Sequence, residues 1–205
     1  MNRLKAVEQL KTIHIPDFFV QHQAEILKTL ESTDIACQLL NEIERLALKV
    51  DVLQLADAEH ELKYLQLSYL RSSVKSQKMK CFLQGFNEKW YFDSQSVDVT
   101  FELTAFEKLF QLARKYLDTA YRKQTFKFEF FDLDNLLMDV GAQLALLSLM
   151  SFKTHLDIGN VKLDCLYGLR LHPEFEMRAG DYQGADTVLF KLSESSGEDH
   201  EVFSN

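Results

Sequence analysis

Glycine is almost missing from the first three quarters of this chain. Of seven glycines the first is Gly85, and five lie at Gly159 or beyond; the two prolines are Pro16 and Pro173. Loops that bring backbone amides up to a phosphate need residues without a Cβ. Neither G-x-G-x-x-G nor G-x-x-x-x-G-K-[ST] occurs, so the usual dinucleotide and P-loop signatures are absent. The same skew divides the fold. A breaker-poor first third favours helix, and a turn-rich last quarter favours sheet.

At 205 residues the chain fits one domain. An alternative division puts a helical subdomain at 1–66, an α+β domain at 67–192 and an acidic tail at 193–205. Sixteen phenylalanines supply aromatic surface for a large core, with some left for an interface. The formal charge of −8 argues against a nucleic-acid partner, because phosphate binding rests on lysine and arginine. One stretch runs against that balance: between Glu61 and Glu88 lie Lys63, Arg71, Lys75, Lys78 and Lys80 and no acid.

The amino terminus lacks the continuous apolar run of a signal peptide. The apolar stretch Leu144–Met150 is too short to span a bilayer by itself, so no membrane association is expected. Cys37, Cys81 and Cys165 are odd in number and widely spaced. They read as buried thiols in a reducing compartment, which makes the expected location cytoplasmic.

Helix is expected over 2–12, with a break at His14–Asp17 and a second helix capped by Asp17. Ser32, Thr33 and Asp34 offer caps for a third, in which Leu39, Ile43, Leu46, Val50 and Leu53 step by fours and threes. From about Tyr69 the period becomes two. Met79, Cys81 and Leu83, then Trp90–Tyr91–Phe92, then Val97, Val99, Phe101 and Leu103 read as a three-stranded meander. Thr104 and Glu107 form a capping box for a helix over 104–123. Phe126, Phe128 and Phe130 alternate, and Asp132 or Asp134 caps a helix over 133–157, apolar nearly all round and therefore central. From Val161 to Met177 every odd position is apolar, which reads as strand with a bend at Gly168 or Pro173. The expectation is an α+β fold: an N-terminal helical layer packed with an antiparallel sheet from segments 69–103 and 161–192, and helices 104–123 and 133–157 on its inner face.

Three constellations are candidates for chemistry. Arg170, His172, Glu174, Glu176 and Arg178 fall on one face of a strand, with Tyr182 in the turn beyond. That face is either the floor of an anion pocket or a solvent face with cross-strand ion pairs. Asp57, Glu59, His60 and Glu61 read as a capped helix start rather than a metal site, since no Glu-x-x-His is present. Arg71 and Ser72 open a basic, hydroxyl-rich segment that either holds an anion or decorates an edge strand. Tyr69, Trp90 and Tyr91 are candidate contact aromatics. No nucleophile motif, cofactor signature or metal spacing is found. The favoured reading is a non-catalytic protein that contacts a protein partner or itself, the alternative a small-anion site or hydrolase on the 170–178 face.

Overall fold

The computed structural model describes residues 7, 8, 10–123, 130–157, 163–182 and 184–192. Residues 2–6, Phe126, Phe128, Val161 and the tail 193–205, for which expectations were stated above, lie outside them.

A π-helical turn, Leu10–His14, runs without a break into α1 (Ile15–Gln21), with Pro16 in its first turn. Pro16 has no amide hydrogen to donate and a ring that crowds the preceding turn, and it is the wider π turn that comes just before it. α2 (Gln23–Leu30) follows, and then the long α3 (Thr33–Ala56). Ser32 is the N-cap of α3, its hydroxyl accepting from the Asp34 amide at 3.2 Å. The seam buries Leu39, Ile43, Leu46 and Val50. Asp57 ends the helix in extended geometry, so the helical layer stops ten residues before the expected boundary at 66.

The residues after it form β1 (Leu62–Tyr69), a strand absent from the sequence expectation. A short helix, α4 (Arg71–Val74), leads to β2 (Lys80–Phe86), and β3 (Val97–Glu102) closes this half. Trp90–Phe92 is a 3₁₀ turn rather than the middle strand of a meander. α5 (Thr104–Arg122) buries Phe106, Leu109, Phe110, Ala113 and Leu117 as its period requires. Its capping box does not form: Leu103 is the N-cap, and the Thr104 hydroxyl bonds Gln38 Oε1 at 3.3 Å instead. α6 (Phe130–Asp157) begins three residues earlier than expected. Another 3₁₀ turn, Asp164–Leu166, takes the place of the strand expected there. The sheet is completed by β4 (Leu171–Asp181) and β5 (Asp186–Lys191).

The five strands run in the order β3-β2-β1-β4-β5. Three pairings are antiparallel, but β1 and β4 are parallel, so the sheet is mixed rather than antiparallel. The crossover through α5 and α6 returns the chain to the sheet in the same direction as β1, as a parallel pair requires. Between Leu62↔Leu171 and Tyr64↔Glu176 the register slips, and Pro173 lies within that slip. An irregularity there lets a residue without an amide hydrogen sit in a strand.

Leu65, Leu67, Tyr69, Cys81, Leu83, Val99, Met177 and Ala179 line one face, and all are buried. α3 and α6 cover it; the Tyr69 hydroxyl lies 3.5 Å from the Ala142 carbonyl of α6. α6 is the central helix, although Leu146 and Leu147 remain exposed on it. Its Asp132–Leu156 stretch has the length and apolarity of a membrane span, and half of that window is buried inside the fold. Buried Ser148 and Ser151 return their hydroxyls to the helix carbonyls of Leu144 and Ser148.

At Gly141 α6 lies close against α4 and α5. A Cβ there would stand 2.3 Å from Val74 Cγ1 and 2.9 Å from a Phe110 ring carbon. Gly141→Leu is expected to cost about 1–3 kcal/mol or more through overpacking, read as a lower denaturation midpoint at unchanged m-value.

Candidate functional site

The face of the sheet turned away from α3 and α6 collects most of the residues singled out from the sequence. Register sets its rows: Phe86, Tyr64 and Glu176 in one, Gln84, Gln66 and Arg178 in the next, Phe82, Ser68 and Gly180 in the third. The loop between β2 and β3 folds over these rows. Its anchor is the buried carboxylate of Asp93, which accepts from the amides of Asn87 and Gln95, both at 2.9 Å. Asn87 Oδ1 accepts from the Lys89 amide at 2.8 Å. Trp90 is held at φ 56°, left-handed backbone that a bulky residue adopts only at a cost.

Packing offsets that cost. The Trp90 ring lies 3.9 Å from the Tyr64 ring, 6.0 Å from Phe86 in a stacked arrangement and 5.5 Å from the Arg178 guanidinium. Such ring and cation contacts each contribute on the order of 1 kcal/mol. The turn then presents its next residues outward: Tyr91 is 42% and Phe92 91% exposed. Tyr182 stands across the sheet against Phe82, ring centres 5.2 Å apart.

Charge on this face is paired internally. Arg178 donates to Asp186 at 2.7 and 3.1 Å and to Glu176 at 2.8 Å, while Lys191 reaches Glu176 at 3.0 Å. Lys191 and Arg178 together hold the Glu176 carboxyl below the usual carboxylate range, Lys191 contributing most. Lys63 pairs with Glu174 at 2.8 Å. Arg170 lies outside the strand. Its guanidinium donates to the carbonyls of Gln54 and Asp57, and the Gln54 side chain bonds Arg170 in return, so the residue clamps the end of α3. Both arginines of the proposed anion face are therefore occupied by protein acceptors.

Arg71 lies 3.6 Å from Asp181, which is in register with Tyr69 on the helix-covered face, apart from Arg178 on the outer one. Ser72 is exposed in α4 next to it. Tyr69, expected at a contact surface, is 2% exposed, because a strand covered by helices buries every second side chain. Among the cysteines, Cys37 is exposed rather than buried; burial pushes the Cys81 and Cys165 thiols up.

The sheet also brings together residues far apart in sequence. His172 shares a polar cavity of about 380 Å³ with Asp57, Glu59, His60 and Glu61, walled on the other side by Asn87 and Glu88. His172 Nδ1 accepts from the Glu174 amide at 3.1 Å. No three histidine, cysteine or carboxylate side chains converge at metal-ligand spacing among the described residues. Tyr64, Phe82 and Asp186 were not singled out from the sequence, although Tyr64 would have followed from reading 62–69 as a strand. No protein-family model, curated protein or solved structure matches the chain.

Side chains from the helices reach both edges of the sheet. Gln38 and Lys49 donate to the Glu102 and Asp98 carbonyls of β3, each at 2.6 Å, and Lys153 to the Leu189 carbonyl of β5 at 3.1 Å. Each such bond takes up a carbonyl that an added strand would otherwise use.

Tyr69, on the helix-covered face, gives the fold a pH signature. A tyrosine ordinarily ionises near 10; burial first, and then Asp181, push Tyr69 up to about 12. The unfolded chain therefore loses this proton at lower pH than the folded one. The stability contributed is complete below pH 10 and disappears between pH 10 and 12, on the order of 2 kcal/mol. Tyr69→Phe is expected to flatten that part of the alkaline unfolding profile measured by urea titration at a series of pH values.

Proposed function

We propose that this protein is a non-catalytic, cytoplasmic self-associating module, and that the Trp90–Phe92 turn is the knob of its contact. The observation that carries the reading is Phe92, 91% exposed at the tip of a loop fixed by the Asp93 carboxylate. A rigid aromatic loses little entropy on docking, which suits it to anchor an interface.

The occupant is a second copy, because the same chain carries a socket. An apolar cavity of about 350 Å³ lies between the Asp164–Leu166 turn and β4, lined by Leu166, Leu169, Leu171, Phe175 and Phe190 among others. A cavity of that size admits a phenyl side chain, and its lining matches one chemically. Knob and socket are different surfaces, so the contact is head-to-tail: it propagates along a chain of copies or closes into a ring. Unpaired thiols at Cys37, Cys81 and Cys165 support the reducing compartment.

Light scattering on eluted fractions tests this with two variants. Phe92→Asp removes the knob and Leu169→Arg blocks the socket, so each alone is expected to be monomeric. Mixed together they retain one good knob and one good socket, and should give a dimer and nothing larger. A wild-type protein that stays monomeric throughout, or a mixture that stays monomeric while wild type associates, would overturn the proposal.

A further inference from the structure

A second cavity, of about 660 Å³, lies away from the sheet, between the N-terminal helices and α5. His14 enters it from the π-helical turn, and Asp17, Gln21 and His22 from α1 and the residue after it. The facing wall is one side of α5 and its C-cap Lys123, where Lys115, Tyr116, Thr119 and Lys123 follow helical spacing.

The floor is aromatic. Tyr116 has the rings of His22, Phe18 and His14 around it at 5.6, 5.7 and 6.5 Å. The rim is cationic. Lys115 and Lys123 have no ion-pair partner among the described residues. They stand about 12 Å apart along the helix axis, so their flexible stems can converge above Thr119 between them. Asp17 is the one carboxylate on the walls among the described residues, and Glu25 lies 3.8 Å from His22 Nδ1 outside it. On a chain of net charge −8, two unpaired ammonium groups over an aromatic floor run against the general balance.

The backbone here is also unusual. A π turn makes poorer use of its hydrogen bonds than an α-helix, and such turns concentrate at functional sites. This one ends on His14, a residue of the cavity wall.

We propose that this cavity binds a small organic anion with a planar body, its ring against Tyr116, His14 and His22 and its anionic group between Lys115 and Lys123. Ammonium groups recognise such an anion as point charges, and the rings supply a flat apolar bed. The site is separate from the Phe92 contact and does not depend on it.

Amide chemical-shift titration tests this with phenyl phosphate as probe and benzyl alcohol as its uncharged counterpart. Phenyl phosphate is expected to give saturable shifts at His14, His22 and Lys115, and benzyl alcohol none that saturate over the same range. Lys115→Ala with Lys123→Ala should weaken phenyl phosphate at least about tenfold while leaving the spectrum elsewhere unchanged. Three results would overturn the assignment: no saturable shift with phenyl phosphate, equal binding of benzyl alcohol, or shifts that map to the sheet. The comparison of the two probes on unaltered protein stands even if the double variant folds poorly.

Discussion

Six consecutive residue pairs, Tyr64 with Glu176 through Tyr69 with Asp181, join β1 to β4 in parallel and fix the middle of the sheet. The two strands come from opposite halves of the chain, so their pairing closes a long loop before any local contact rewards it. Once closed, it sets both faces. Leu65, Leu67, Met177 and Ala179 turn toward α3 and α6, and Tyr64, Gln66, Glu176 and Arg178 turn outward in the same step. A slip of one residue would exchange the two sets.

The outer face follows from that register. Arg178 is placed where Asp186, Glu176 and the Trp90 ring all reach it, and the result is a paired, partly buried network rather than free positive charge. Trp90 in turn holds its loop in left-handed backbone, which projects Phe92 outward. Beneath them Gln66 and Ser68 are fully buried, and neither side chain has a hydrogen-bond partner among the described residues.

Much of the architecture was legible because it is local. The seam of α3, the apolar face of α5 and the alternation in β2 and β3 each require only neighbours within a few residues, and each element formed where its period placed it. Failures arose where a local signal competes with something distant. Trp90–Tyr91–Phe92 has strand propensity, yet Asp93 draws the amides of Asn87 and Gln95 to its carboxylate and forces a turn. Thr104 has the spacing of a cap, but Gln38, 66 residues away, takes its hydroxyl. The alternation before Tyr167 continues that of β4, yet residues 164–166 turn in 3₁₀ geometry. Candidate site residues fared in the same way: His172, Glu176 and Arg178 were placed on a strand from their spacing, whereas nothing in that spacing separates Arg71 from them.

The sequence by itself determined the helical stretches of α3, α5 and α6, the alternation of β2 and β3, and that neither glycine-rich phosphate motif occurs. Only the tertiary structure decided that β1 exists as the central strand, that it runs parallel to β4, and that Tyr69 is core while Phe92 is surface. The reason is symmetry. A period of two states that a strand has two faces, but not which one a helix will cover. Likewise, a helical face of lysines beside a tyrosine reads as solvated until another element, here the turn bearing His14, closes a cavity over it.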